Sequence, residues 1–149
     1  MAGKTKRSGK QVLLRFAFVA YVVWMLWLLF GQRWGTQIYT QELARNINLT
    51  PLATIRHYIA LVKNSGSLRT HAVINLVGNV VMFVPLGYCL PKIFPRFRNF
   101  FKTFIFCFLL IVAVEVTQYF TYLGTCDIDD LILNMAGVIL GYLFARIKQ

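Results

Sequence analysis

Acidic side chains are scarce in this sequence: Asp and Glu number 5 among 149 residues against 16 Lys and Arg, and charged residues of both signs make up 14%. Soluble domains carry about 25%. A disordered chain, which couples high charge with low hydrophobicity, is excluded. Cysteines number 3 and histidines 2, with no CxxC and no Cys/His cluster, so neither a disulfide framework nor a zinc site is encoded. No internal repeat, low-complexity tract or Pro/Gly/Ser-rich linker divides the chain, which reads as one domain over residues 1–149. A nucleophile motif, a phosphate loop and HExxH are all missing, and no cofactor is indicated.

What fills the sequence instead is apolar, 58% hydrophobic with a mean hydropathy of +0.60. Runs at 12–30, 72–90, 103–123 and 128–147 are each long enough to cross a hydrocarbon core of about 30 Å, which takes about 20 residues. The second carries no charge and the third only Glu115. These features predict an all-α integral membrane protein with four transmembrane helices. Lys4, Lys6, Arg7 and Lys10 precede the first run as they would in a signal peptide. Its length exceeds an h-region, however, and Phe30-Gly31-Gln32 offers no small-residue cleavage site, so it is expected to stay attached.

The basic residues set an orientation. With the N-terminus inside, Lys4, Lys6, Arg7, Lys10, Arg15, Lys92, Arg96, Arg98, Lys102, Arg146 and Lys148 fall on the cytoplasmic side. Only Arg33, Arg45, Arg56, Lys63 and Arg69 fall outside, in one long loop. Both termini are then cytoplasmic. The excess of positive charge reports topology and attraction to membrane lipid; no basic stripe with interleaved stacking aromatics appears, so nucleic acid is not an expected partner. Within the outer loop, Thr50-Pro51 is a helix start signal, and Leu52, Ile55, Ile59 and Val62 share one face of an amphipathic helix that lies on the membrane or caps the bundle. Asn64-Ser65-Gly66-Ser67 is expected to end it.

Polar residues inside the spans carry the functional information. Asn75 and Asn79, Glu115 and Gln118, and Asp130 and Asn134 are pairs spaced three or four apart, so each occupies one helix face. Topology puts all six within roughly 12 Å of the outer helix ends. Asp130, Asn134, Gly137 and Gly141 form one stripe, and the small residues of Gly137-x-x-x-Gly141 allow close helix approach. The short connection from Gly124 to Asp127 makes the third and fourth spans antiparallel neighbours. The expected site is therefore a cluster of Asn75, Asn79, Glu115, Gln118, Asp127, Asp130 and Asn134, open toward the outer surface.

Several stretches together resemble the VanZ-like family: Asn48-Leu49-Thr50-Pro51, the segment from Asn75 through Gly78-Asn79 to Pro85-Leu86-Gly87, Glu115-Val116-Thr117-Gln118, and Asp127-Ile128-Asp129-Asp130 followed by Asn134-Met135-Ala136-Gly137. The resemblance covers roughly residues 48–145 and keeps motif order and spacing. It implies a four-helix protein of the bacterial plasma membrane and a role in the response to glycopeptides such as teicoplanin. Where many members carry an arginine just before the Asp-rich motif, this chain has Gly124-Thr125-Cys126.

Structural readings stand beside the functional ones. Asp127 can cap the fourth helix, with Asp129 and Asp130 in its first turn opposing the helix dipole. Asn75, Asn79 and Gln118 can hold helices in register. Glu115 favours function, because an ionisable group within a span is costly. Pro85 and Gly87 read as a kink or end of the second span, Trp24, Trp27 and Trp34 as lipid contacts, and the cysteines as small apolar packers with Cys126 alone an exposed thiol.

Three functions fit. One is a non-enzymatic protein that alters how a lipoglycopeptide or a lipid-linked wall precursor behaves at the outer leaflet. A second is a membrane enzyme with Glu115 and Asp130 as an acid/base pair, and a third is a small proton-coupled transporter. The missing nucleophile and cofactor motifs weigh against the enzyme. The carboxylates match no calcium loop, so no metal is expected. Oligomeric state is left open. The orientation is tested by single-cysteine labelling in a background lacking Cys89, Cys107 and Cys126. Sites near Ser8 and Arg98 are expected to resist an impermeant thiol reagent and a site near Asn64 to react; the reverse pattern inverts the topology.

Overall fold

The computed structural model describes residues 9–31, 47–63, 68–121, 123 and 126–147. Helix α1 is Gly9–Leu26, continued by a π-helical turn at Trp27–Gly31, and α2 is Ala53–Lys63. Helices α3, α4 and α5 are Leu68–Ile93, Phe100–Phe120 and Ile128–Ile147. A 3-10 turn at Pro95–Arg98 joins α3 to α4. Two short strands, β1 (Ile47–Asn48) and β2 (Cys126–Asp127), pair in parallel, Ile47 opposite Cys126 and Asn48 opposite Asp127. Four segments, Gly9–Gly31, α3, α4 and α5, are long and apolar enough to span a bilayer. The expected all-α membrane architecture is thus present. Lys4, Lys6, Arg7, Arg33, Trp34, Arg45, Lys148, the 64–67 stretch and Gly124-Thr125 lie outside the described residues.

Large apolar side chains such as Val19, Val23, Trp24, Trp27, Phe101, Leu109 and Phe144 are exposed on the spanning helices. A surface of this kind suits hydrocarbon, which solvates these groups as well as another helix would. The interior is small: Phe83, Leu86 and Leu90 of α3 meet Met25 of α1, Cys107 and Ile111 of α4, and Met135 and Val138 of α5.

The tightest packing joins α3 to α5. A β-carbon added at Gly137 or Gly141 would overlap the carbonyl oxygen of Val80 or Val84, and one added at Gly87 would overlap that of Val138. The backbones thus touch at three glycines, two on α5 and one on α3. Together with the Asn79–Asp130 contact, these pairings place the start of α3 beyond the start of α5 by roughly one to two and a half helical turns. Helix α2 packs on α3 and also touches α5.

Several local expectations are corrected. Pro85 does not end α3, which runs through Pro85 and Pro91 to Ile93. Pro85 removes the donor to the Val81 carbonyl; at the adjacent Met82 carbonyl Tyr21 Oη of α1 donates at 2.7 Å, which ties α1 to α3 in the turn that Pro85 loosens. Helix α2 turns Thr54, Ile55, Tyr58, Leu61 and Val62 inward and leaves Leu52 and Ile59 exposed. Its packed face is therefore rotated from the purely apolar stripe, because a polar residue, Thr54, is bonded beneath it. Cys126 is half-buried rather than exposed.

Gly141→Val and Gly87→Val are each expected to lower stability in detergent by about 1–3 kcal/mol through overpacking. Gly78→Ala is expected to have little effect, since its β-carbon meets nothing within 4 Å. Thermal loss of helicity measured side by side checks this; equal melting of all three would show that the seam is not under steric control.

Candidate functional site

The end of the bundle where α3 and α5 begin gathers the acidic residues and is here termed the acidic end. Asp129 is 0% exposed. Its carboxylate accepts the backbone N–H of Leu52 at 2.6 Å and of Ile55 at 3.0 Å. These are donors of the first turn of α2, which have no partner within that helix. A residue of α5 therefore caps α2 from 74 to 77 positions away. Leu52 itself has φ of 65°, a left-handed conformation that costs a leucine roughly 1–2 kcal/mol. Asp129 stands in the first turn of α5 as expected, but it is buried and its carboxylate is also committed to the start of α2.

Asp127 does cap α5, accepting the N–H of Asp129 at 2.9 Å. It also receives Thr54 Oγ1 at 2.6 Å and Asn48 Nδ2 at 3.3 Å. Asn48 Nδ2 further bonds Thr54 Oγ1 at 2.9 Å, while its Oδ1 accepts the N–H of Thr50. Thr54 is a residue that periodicity does not reveal. Its signal is composition alone, a hydroxyl in the first turn of a helix.

Asp130 accepts Asn79 Nδ2 at 2.6 Å, a link in which two of the expected polar pairs meet directly. Asn134 is 3% exposed, and its Oδ1 has no hydrogen-bond partner among the described residues. Glu115 is buried and lies close enough to Cys126 to act on it electrostatically. Burial pushes the Cys126 thiol up, and the nearby carboxylates of Glu115 and Asp127 push it further the same way. The thiolate is disfavoured accordingly.

Two expected members stand elsewhere. Gln118 Nε2 donates to the Leu29 carbonyl at 2.9 Å, so it ties α4 to the π-helical turn of α1 rather than meeting Asp130 and Asn134. Asn75 Nδ2 bonds the His71 carbonyl of its own helix at 3.3 Å. With Asn79 already paired to the first turn of α5, Asn75 sits one turn further out, on the overhanging part of α3. Asn75 and Asn79 both border a crevice of about 440 Å³ between α1 and α3, walled by Trp24, Leu28, Met82 and Pro85. Among the described residues no group of three or more His, Cys, Asp or Glu could hold a metal ion.

Four apolar spans with their polar groups collected at one end, beneath an amphipathic helix held by a carboxylate, define a multi-pass membrane protein of a small polytopic class. The chain belongs to the VanZ/LLP1 family, whose sequence model matches residues 16–149. It is 28% identical over 132 residues to Protein VanZ of Enterococcus faecium, covering 88% of this chain and 72% of that protein. No solved structure matches the chain.

Asp129→Ala is expected to leave the Leu52 and Ile55 amides unsatisfied at about 1–3 kcal/mol. Amide hydrogen exchange across α2 then accelerates by about tenfold or more, while exchange in α4 is unchanged. Equal protection of α2 in the variant and the wild type would show that its docking does not depend on this carboxylate.

Proposed function

We propose that this protein acts at the outer face of a bacterial plasma membrane and lowers susceptibility to teicoplanin-type glycopeptides by altering how the drug, or a lipid-linked wall precursor, sits in the outer leaflet. Family membership supports the class. The observation that carries the mechanism is Asn79, which borders the crevice between α1 and α3 and also bonds Asp130. One side chain thus joins an apolar, lipid-facing hollow to the polar network of the acidic end.

A lipophilic ligand with a polar head needs both environments. Apolar side chains of α1 and α3 receive the hydrocarbon, while the carboxamides of Asn75 and Asn79 meet the first polar atoms above it. From Ile74 to Pro85 the hollow follows α3 for about 16 Å, close to one leaflet's share of a hydrocarbon core of about 30 Å. In this reading Asp130 orients Asn79, and Glu115 and Asn134 supply polar surroundings deeper in the bundle. Asp127 holds α2 over the site, and Gln118 holds α1, the far wall of the hollow, in place.

The test uses a susceptible bacterium expressing the protein at matched abundance. Gly78→Phe fills the crevice where a side chain meets open space, and Asn79→Leu removes its polar rim. Both are expected to return resistance to an acylated glycopeptide to the level of cells without the protein, with lipid-linked precursors unchanged in mass. Full resistance in both variants would remove the crevice from the mechanism. A precursor modified only in the presence of the wild type, and unmodified with Glu115→Gln, would replace interaction by membrane enzymology.

A further inference from the structure

The opposite end of the bundle, where α1 and α4 begin and α3 ends, carries a second organised site. Arg15 and Gln11 of α1, Lys92 in the last turn of α3 and Arg98 of the 3-10 turn surround a hollow of about 160 Å³ floored by Leu14, Ile93 and Pro95. Three cations share one small concavity. Among the described residues no acidic side chain lines it. The four described acids, Glu115, Asp127, Asp129 and Asp130, all lie at the acidic end, and the fifth, Glu42, falls outside the described residues.

The wall bearing Arg98 is pinned from three sides. Thr103 Oγ1 of α4, 1% exposed, donates to the Phe97 carbonyl at 2.6 Å. Tyr142 Oη of α5 donates to the Arg98 carbonyl at 2.6 Å. Phe94 packs edge-on against Phe18 of α1 at 6.4 Å and against Phe97 at 6.3 Å. Asn99 caps α4 by accepting the Lys102 N–H at 3.1 Å. Two buried hydroxyls, from different helices, are thus committed to the carbonyls of one four-residue turn, and the turn presents its arginine from a fixed backbone. Lys92 is steadied in its turn by the Tyr88 ring, 5.7 Å from its ammonium nitrogen.

We propose that this hollow binds the phosphate of an anionic phospholipid in the leaflet facing the basic end. Its height decides the source of the anion. Lys92 is one residue from the end of a 26-residue span and Arg98 two residues before the next, which is the level of headgroups rather than of bulk water. Basic recesses between transmembrane helices at this level suit anionic headgroups, and two guanidinium forks beside one ammonium can share the oxygens of a single phosphate. The room available fits a phosphate with its first glycerol atoms, leaving the acyl chains to lie along the exposed apolar face of α1.

The full chain is reconstituted with equimolar phosphatidylglycerol and phosphatidylcholine, released into detergent, and its retained lipids are counted by mass spectrometry. The wild type is expected to retain phosphatidylglycerol in clear excess. Arg15→Gln, Lys92→Gln and Arg98→Gln each lower that excess by about fivefold. Arg96→Gln and Lys102→Gln, at the same end but bordering a different hollow, leave it unchanged. Equal retention of the two lipids by the wild type, or an equal loss in the Arg96 and Lys102 variants, would overturn the site. Displacement of the lipid by inorganic phosphate at constant ionic strength would overturn the lipid assignment. The wild-type ratio and the soluble-phosphate arm need no variant to fold.

Discussion

In a bilayer the lipid tails compete with every apolar contact, so helices associate by approaching closely enough for dispersion and polar contacts to outdo lipid. Here that requirement falls on the line where α3 and α5 meet backbone to backbone, through Gly137 and Gly141 on one helix and Gly87 on the other. Everything at the acidic end is positioned from this line. It fixes the relative height of the two helices, which brings Asn79 to Asp130 and lets α3 overhang α5. The overhang supplies the surface on which α2 lies, and the first turn of α5 then supplies the carboxylates that hold α2 down.

The polar residues divide by what surrounds them rather than by residue type. Asp127 and Asp129 are saturated by donors from β1 and α2, and their chemistry is that of fasteners. Asn79 and Asp130 occupy the boundary between the packed interior and the crevice open to lipid. At the far end the positive charges are arranged around a rigid turn, whereas the carboxylates of the acidic end are turned inward, with Asp129, Asp127 and Glu115 buried.

The four spans were legible because a long uncharged run has few stable alternatives to a membrane helix, and the Gly137-x-x-x-Gly141 spacing marked a face for close helix approach without saying that α3 would be the helix to meet it. The partner chosen by each polar side chain was not. Gln118 was expected to face α5, but periodicity says only which residues share a face; the π-helical turn that offers it the Leu29 carbonyl leaves no mark in hydropathy. Asp129 resembled an ordinary first-turn acid because the amides it caps are contributed by a segment distant in sequence. Pro85 reads as a kink or an end because its ring removes a helical hydrogen bond; which of the two holds depends on the neighbours packed along α3, which continues to Ile93.

The distance along the chain between a helix and its cap also orders events during biosynthesis. Leu52 and Asp129 are 77 residues apart, so at about 5–20 residues per second roughly 4–15 s pass between synthesis of the amides and synthesis of their acceptor. Throughout that interval α2 has no cap from α5, Leu52 is free of its left-handed conformation, and α3 lacks the glycines against which it will close. Of the four described spans, the one made after the other three closes the structure. A ribosome that stalls before it leaves three apolar helices joined by a few links such as Tyr21 to Met82 and Gln118 to Leu29 but without the glycine seam, a natural substrate for membrane quality control.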